Sequence, residues 1–276
     1  MPSDSRFAVL IDADNVSVRY IKLILDEISK DGIATYKRIY GDWTNPALIS
    51  WKSALLDNSV IPIQQYSYTT GKNSTDSAMI IDAMDILYSG QVEGFCLVSS
   101  DSDFTRLAAR LRESGMTVVG MGESKTPNSF IAACNKFKYL DILSAADEDD
   151  PEEPVKLEPG RKPALQKEKK PAPRKAAKAA PKSREDPKPD AQEEPKTSLR
   201  TIRKALRTIV RENSDEDNWI FIGKVGNILG KRYPDFDVRN FGFSKLTPFL
   251  DSLDLFEIKS ERKDNNSSPQ MYVRLK

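Results

Sequence analysis

The chain has 276 residues, with 42 Lys or Arg against 41 Asp or Glu, a formal net charge of +1 and 39% hydrophobic residues, enough for a packed core. It contains no histidine, which excludes Ser-His and Cys-His dyads, His-ligated zinc and imidazole general bases together. The two cysteines, Cys96 and Cys134, are too few for a disulfide framework or a thiolate zinc site, and no apolar run approaches the roughly 20 residues of a membrane span.

The expectation from these exclusions is a cytoplasmic chain without membrane contact, whose thiols are packing residues. Its catalysis, if any, rests on carboxylates, lysine or hydroxyls, and carboxylates are ligands for hard cations. The balanced total hides a polarity: residues 1–145 sum to −3, 146–196 to 0 and 197–276 to +4.

In chain order, Phe7-Ala8-Val9-Leu10-Ile11 is an uninterrupted apolar run that stops on Asp12, Asp14 and Asn15. Such a run reads as a buried parallel strand opening onto a polar edge. Residues 16–31 have helical spacing and end at Gly32; 33–40 read as a strand, 46–57 as a helix entered through Asn45 and Pro46, and 60–66 as a strand. A helix over 75–88, a strand over 94–99, a helix over 104–113, a strand over 116–121, a helix opened by Pro127 and a short strand near Tyr139 complete the alternation. Strands and helices alternating through short connections specify an α/β fold, a parallel sheet flanked by helices, over residues 1–145.

From about Asp147 the sequence turns to Pro, Lys, Ala and Glu, a composition that buries too little apolar surface to offset chain entropy. Residues 146–196 are expected to form a disordered charged linker. A tether of about 50 residues has a mean span of about 40 Å, long enough for two domains to engage one ligand without a fixed interface. Helices at 199–210, 220–229 and 243–253, then strands at 255–260 and 271–275, give residues 197–276 the outline of a small α+β winged helix.

Three acidic sites fall at matching places: Asp12 ends the first strand, Asp101 and Asp103 follow the fourth, and Asp76 opens the helix after the third. All strand C-termini of a parallel sheet share one edge, so these carboxylates are expected to converge. Clustered carboxylates repel unless protonated or neutralised by a cation, and Mg²⁺ or Mn²⁺ suits that donor set. Asn15 is placed to support the site. Lys72, Asp82 and Ser100 are placed beside it, toward substrate or behind the ligands. For a single acid at a strand end, capping the following helix is the competing role, open to Asp14, Ser102 or Asp103, and Asp14 reads as a cap or an outer-shell group.

At these residues the sequence resembles the NYN ribonuclease domains of the PIN-like superfamily. The matching segments are Leu10-Ile11-Asp12-Ala13-Asp14-Asn15, Gly71-Lys72-Asn73-Ser74-Thr75-Asp76 with Asp82 downstream, and Val98-Ser99-Ser100-Asp101-Ser102-Asp103-Phe104. The resemblance implies a Rossmannoid sheet, Mg²⁺ or Mn²⁺ held by Asp12, Asp76, Asp101 and Asp103, support from Asn15, and RNA as substrate. Asn73-Ser74-Thr75 departs from the Gly or Val common before that acid. The C-terminal segment, through Trp219-Ile220-Phe221-Ile222-Gly223 and Gly230-Lys231-Arg232-Tyr233-Pro234, resembles the LOTUS or OST-HTH winged helices, which implies RNA or protein partners. Lys224, Lys231, Arg232, Arg239 and Lys245 form its candidate basic face. The expectation is a metal-dependent endoribonuclease with a tethered RNA-binding module; a non-catalytic RNA-binding or regulatory adaptor and a DNA nuclease are the alternatives.

Overall fold

The computed structural model describes residues 5–66, 74–148, 197–262 and 269–276. The first strand, β1 (Arg6–Asp12), is buried on both faces from Phe7 onward, as its unbroken apolar run demands. Then follow α1 (Ile21–Ser29), β2 (Ile33–Gly41), α2 (Trp51–Asn58), β3 (Ile61–Gln64) and α3 (Ser74–Ser89). The second half comprises β4 (Gly94–Val98), α4 (Thr105–Glu113), β5 (Thr117–Gly122), α5 (Asn128–Ala133), β6 (Lys136–Tyr139) and α6 (Leu140–Glu148).

The six strands form one parallel sheet in the order β3-β2-β1-β4-β5-β6. The chain winds outward from β1 in one direction and from β4 in the other, so the order reverses between these two central strands. Alternate residues of β1 feed opposite cores. Phe7, Val9 and Ile11 pack with Ile24, Ile28, Trp51 and Leu55 of α1 and α2, whereas Ala8 and Leu10 pack with Met79, Ala83, Leu107 and Phe130 of α3, α4 and α5. This is a doubly wound three-layer fold with helices on both faces.

Differences from the sequence reading are local. The 16–31 and 46–57 segments begin as 3-10 turns (Val18–Tyr20 and Pro46–Leu48) before becoming α-helical, and the expected 220–229 helix starts as a strand. The pattern gives no sign of α6, because its apolar positions Leu140 and Leu143 run directly into an acidic segment. Cys96 and Cys134 are free and buried; burial pushes both thiols up to about 12, as suits packing residues. Among the described residues no helix is long and apolar enough to cross a membrane.

The C-terminal part comprises α7 (Leu199–Asn213), β7 (Ile220–Phe221), α8 (Ile222–Arg232), α9 (Leu246–Ser252), β8 (Phe256–Glu261) and β9 (Gln270–Leu275). Its antiparallel sheet runs β7-β9-β8, packed on Ile202, Leu206, Ile209, Val225, Leu229, Phe249 and Leu250.

One expectation is corrected here. The described residues before and after the linker cluster into one compact unit, so the two folded parts do share an interface. The β6 edge strand donates its Phe137 N–H to the Pro234 carbonyl at 2.7 Å, and Tyr139 Oη donates to the buried Asp235 carboxylate at 3.2 Å. Arg239 forms a bidentate pair with Glu27 of α1, at 2.6 and 2.9 Å. An edge strand with free N–H groups attracts a partner, and here the partner comes from the same chain. A linker's composition carries no sign of that pairing.

Candidate metal centre

The strand order reverses between β1 and β4, and doubly wound folds hold ligands at the C-terminal strand ends beside such a reversal. Asp12 is the last residue of β1, and Asp101 and Asp103 lie in the turn after β4. Asp76 is in the first turn of α3, whose Met79 and Ala83 pack on the sheet. That packing pins the helix start over the strand ends.

Carboxylate oxygens of Asp76, Asp101 and Asp103 lie within 4.8 Å of one another. Asp76 is only 9% exposed. Burial, followed by the charges of Asp12, Asp101, Asp103 and Asp14, pushes its carboxyl up to about 6. Three hard oxygen donors at this separation, one of them holding a proton well above the usual carboxylate range, fit a divalent cation: it would displace the proton and neutralise the repulsion.

Asp12 lies beside this trio, its charge the foremost of those acting on Asp76. It is fully enclosed, 1% exposed, and its Oδ2 accepts from Asn15 Nδ2 at 2.7 Å and Ser99 Oγ at 2.8 Å, while Oδ1 accepts from the Asp14 N–H at 3.1 Å. Burial raises its carboxyl, and these three donors oppose the shift. Oδ1, with one donor, retains acceptor capacity. Asn15 therefore orients Asp12.

Asp101 fills two roles that a sequence presents as alternatives. Its side chain caps the 3-10 turn Ser102–Phe104 by accepting the Asp103 N–H at 2.9 Å, and it also belongs to the trio. Capping fixes one oxygen and so aims the other. Asp14 is exposed, and its charge is among those acting on Asp76; the 3-10 turn that follows has Ser17 at its N-cap position.

The other expected residues are placed as follows. Ser100 is buried, and its hydroxyl accepts from the Glu123 N–H at 2.9 Å, fastening the end of β5 under the site. A Cβ at Gly122 would come within 2.6 Å of the Ser99 carbonyl and 3.1 Å of Ser100 Oγ, so glycine permits that closure. Asp82 is engaged by Arg38 and by Tyr40 Oη, both of β2. Lys72 lies outside the described residues. Lys224, Lys231, Arg232 and Lys245 are exposed, and Lys231 and Arg232 line a cleft of about 730 Å³ that also holds Arg112 and the ion-paired Lys136, Lys138, Glu27 and Asp31. Arg239 points instead into Glu27 and Asp237.

Two features escape sequence reasoning. Ser99 bonds Asp12 across 87 residues, and its signal is present in the chain, since it is the first polar residue at the end of an apolar strand adjacent to β1. Glu27 is buried on the same face of α1 as Ile24; an acid three residues after an apolar anchor signals a hidden partner, although not which one.

Two protein-family models match the chain: the NYN domain over residues 6–141 and the OST-HTH/LOTUS domain over residues 197–268. No curated protein matches it. A crystal structure of a protein of unknown function from Vibrio parahaemolyticus is similar at 19% identity and a TM-score of 0.41, over 50% of this chain and 94% of that one. A doubly wound sheet with acids at its switch point, followed by a three-helix, three-stranded module, thus agrees with both matches: the chain carries an NYN domain and a C-terminal OST-HTH/LOTUS domain.

Proposed function

We propose that the protein is a Mg²⁺- or Mn²⁺-dependent ribonuclease in which Asp76, Asp101 and Asp103 hold the cation, Asp12 supports it through Oδ1 directly or across a water, and the OST-HTH/LOTUS domain binds the RNA. The observation that carries this reading is the convergence of three carboxylates from two elements beside a buried fourth. A divalent cation bound there polarises a phosphoryl oxygen and makes hydroxide available at neutral pH.

The residues themselves supply placement. Ser99 and Asn15 lock the Asp12 carboxylate, and the Asp103 N–H locks that of Asp101, so these donors need little reorganisation when a charged ligand arrives. Asp103 is the exposed member of the trio. Bare carboxylates repel a phosphodiester, so productive binding requires the cation.

The test uses single-stranded RNA and DNA oligonucleotides of one sequence, incubated with the full chain in Mg²⁺, Mn²⁺ or EDTA. RNA is expected to be cut only with the cation and DNA to remain intact, because the 2′-hydroxyl is the consistent difference between them. Cutting in EDTA, cutting of DNA alone, or intact RNA in both cations contradicts the reading.

A further inference from the structure

Helix α7 carries five cations and one acid, Glu212. Arg200, Arg203, Lys204, Arg207 and Arg211 are all exposed, and at 100° per residue they fall within about a quarter to a third of the helix circumference. The opposite face is the buried one, formed by Ile202, Ala205, Leu206, Ile209 and Val210. The result is a cationic ridge about 16 Å long, with Arg203 and Lys204 adjacent and the other charges three or four residues apart.

This ridge is unfavourable for the isolated fold. Arg200 and Lys204, Arg203 and Arg207, and Arg207 and Arg211 are like charges at i,i+4, each costing a few tenths of a kcal/mol. Arg200 also stands at the positive end of the helix dipole. Among the described residues none of the five has a carboxylate partner; Arg203 donates only to the Leu253 carbonyl, at 3.4 Å. The repulsion persists because the apolar face holds the helix in place.

A second observation concerns the end of the ridge. Arg211 also lines a shallow cleft of about 350 Å³ with Glu257, Arg274 and Lys276, where Arg274 pairs with Glu257 and Lys276 with Asp254, next to an aromatic cluster in which Lys259 and Arg274 lie 4.3 and 4.7 Å from the Trp219 ring centre. Phe221, 43% exposed, meets Tyr272 edge-on beside it.

We propose that the α7 ridge, which ends at Arg211 beside this aromatic edge, is the track on which this chain holds the phosphate backbone of a single RNA strand. Four of the five α7 cations are arginines, whose planar forks take phosphate oxygens in pairs. Their regular rise along one line suits a repeating anion, and the aromatic edge at the end of the line suits an unstacked base. The inference rests on the ribonuclease reading for its choice of RNA, and it moves the contact from Lys224, Lys231, Arg232 and Lys245 to a face of the domain that those residues do not include.

The test measures fluorescence anisotropy of a labelled single-stranded RNA against the full-length Asp76→Asn chain in EDTA, so that binding is read without cleavage, over a series of salt concentrations. The variant adds Arg200→Gln, Lys204→Gln, Arg207→Gln and Arg211→Gln, all good helix formers. Affinity is expected to fall at least tenfold and the log–log salt dependence to become shallower by about 2 to 3, at about 0.7 for each phosphate no longer neutralised. The halves Arg200→Gln with Lys204→Gln and Arg207→Gln with Arg211→Gln, each checked for a cooperative thermal transition, replace the quadruple variant if it unfolds.

Affinity within twofold of the parent with an unchanged salt slope overturns the proposal, as does a parent chain that binds no RNA. Unchanged RNA affinity with loss of polyglutamate binding assigns the ridge to an acidic protein and overturns it as well. RNA held by the ridge but never cut, in the chain with Asp76 intact, leaves this inference standing and removes the ribonuclease reading. Cleavage without any effect of the α7 changes does the reverse.

Discussion

Asp76→Asn is expected to abolish cation-dependent RNA cleavage while making the cation-free protein more stable. Loss of one of three clustered ligands removes several kcal/mol of charge stabilisation, which lowers the rate at least a hundredfold. The stability gain has the opposite sign because the Asp76 carboxylate is forced among the charges of Asp12, Asp101, Asp103 and Asp14. Folded chains hold the Asp76 proton up to about pH 6, unfolded chains only to about pH 4. In EDTA the wild-type stability therefore falls as pH rises from about 4 to about 6 and stays low above, by an amount on the order of 2–3 kcal/mol at pH 7. A neutral carboxamide in place of the Asp76 carboxylate avoids that loss. Thermal unfolding in EDTA at pH 7.5 should place the variant above the wild type, with the gap closing toward pH 4. A variant that is inactive and less stable at pH 7.5 would mean that Asp76 is a structural residue and its charge environment unimportant.

Glu27→Ala is expected to loosen the two folded parts from one another. Glu27 is buried in α1, and its carboxylate collects Arg239 in two contacts, Lys138 at 3.1 Å, and Lys30. Burial alone would raise its carboxyl, but Arg239, Lys30 and Lys138 together hold it far below the usual range. Removing one partner of a buried pair leaves the others uncompensated, at about 3–5 kcal/mol. Arg239 keeps Asp237 and Lys138 keeps Asp31, so the lower end applies: a loss of about 3 kcal/mol, or roughly 6–12 °C in melting temperature. A carboxylate with a lowered pKa stabilises above its unfolded value of about 4.3 and loses that contribution as pH falls further. The wild-type and Glu27→Ala melting curves should thus differ by a constant amount from pH 5 to 8 and converge toward pH 2. Equal melting temperatures at pH 7 would show that the ion pair does not hold the interface.

The sheet is legible in the sequence because each of its strands announces itself locally. The run from Phe7 to Ile11 and that from Gly94 to Val98 are apolar on both faces, the helices between them have their caps and stops, and alternation leaves little choice but a parallel sheet. The acidic trio is legible for the same reason: parallel strands bring their ends to one edge whatever their separation in sequence. What the sequence does not show is how each carboxylate is held. Asp12 opens the most prominent motif, but the pattern does not say that Asn15, Ser99 and the Asp14 N–H donate to it, or that Asp76, Asp101 and Asp103 bring their oxygens within 4.8 Å of one another. Those contacts depend on side-chain geometry at an ångström scale. Arg239 illustrates the same limit, since an exposed basic residue and one half of a buried pair with Glu27, 212 positions away, look alike in a sequence. Shape is fixed by pattern, but the partner of a given charge is fixed by packing.

The proposed function depends on whether the carboxylates after β1 and β4 and at the start of α3 hold one divalent cation. Anomalous diffraction from crystals of the full chain soaked in Mn²⁺ measures this directly. The expected result is a manganese peak bonded by Asp76, Asp101 and Asp103, with Asp12 within reach through its remaining Oδ1 lone pair, and no such peak in crystals of Asp76→Asn. Ordered crystals with no peak among these residues, or with manganese bound only elsewhere, would contradict it.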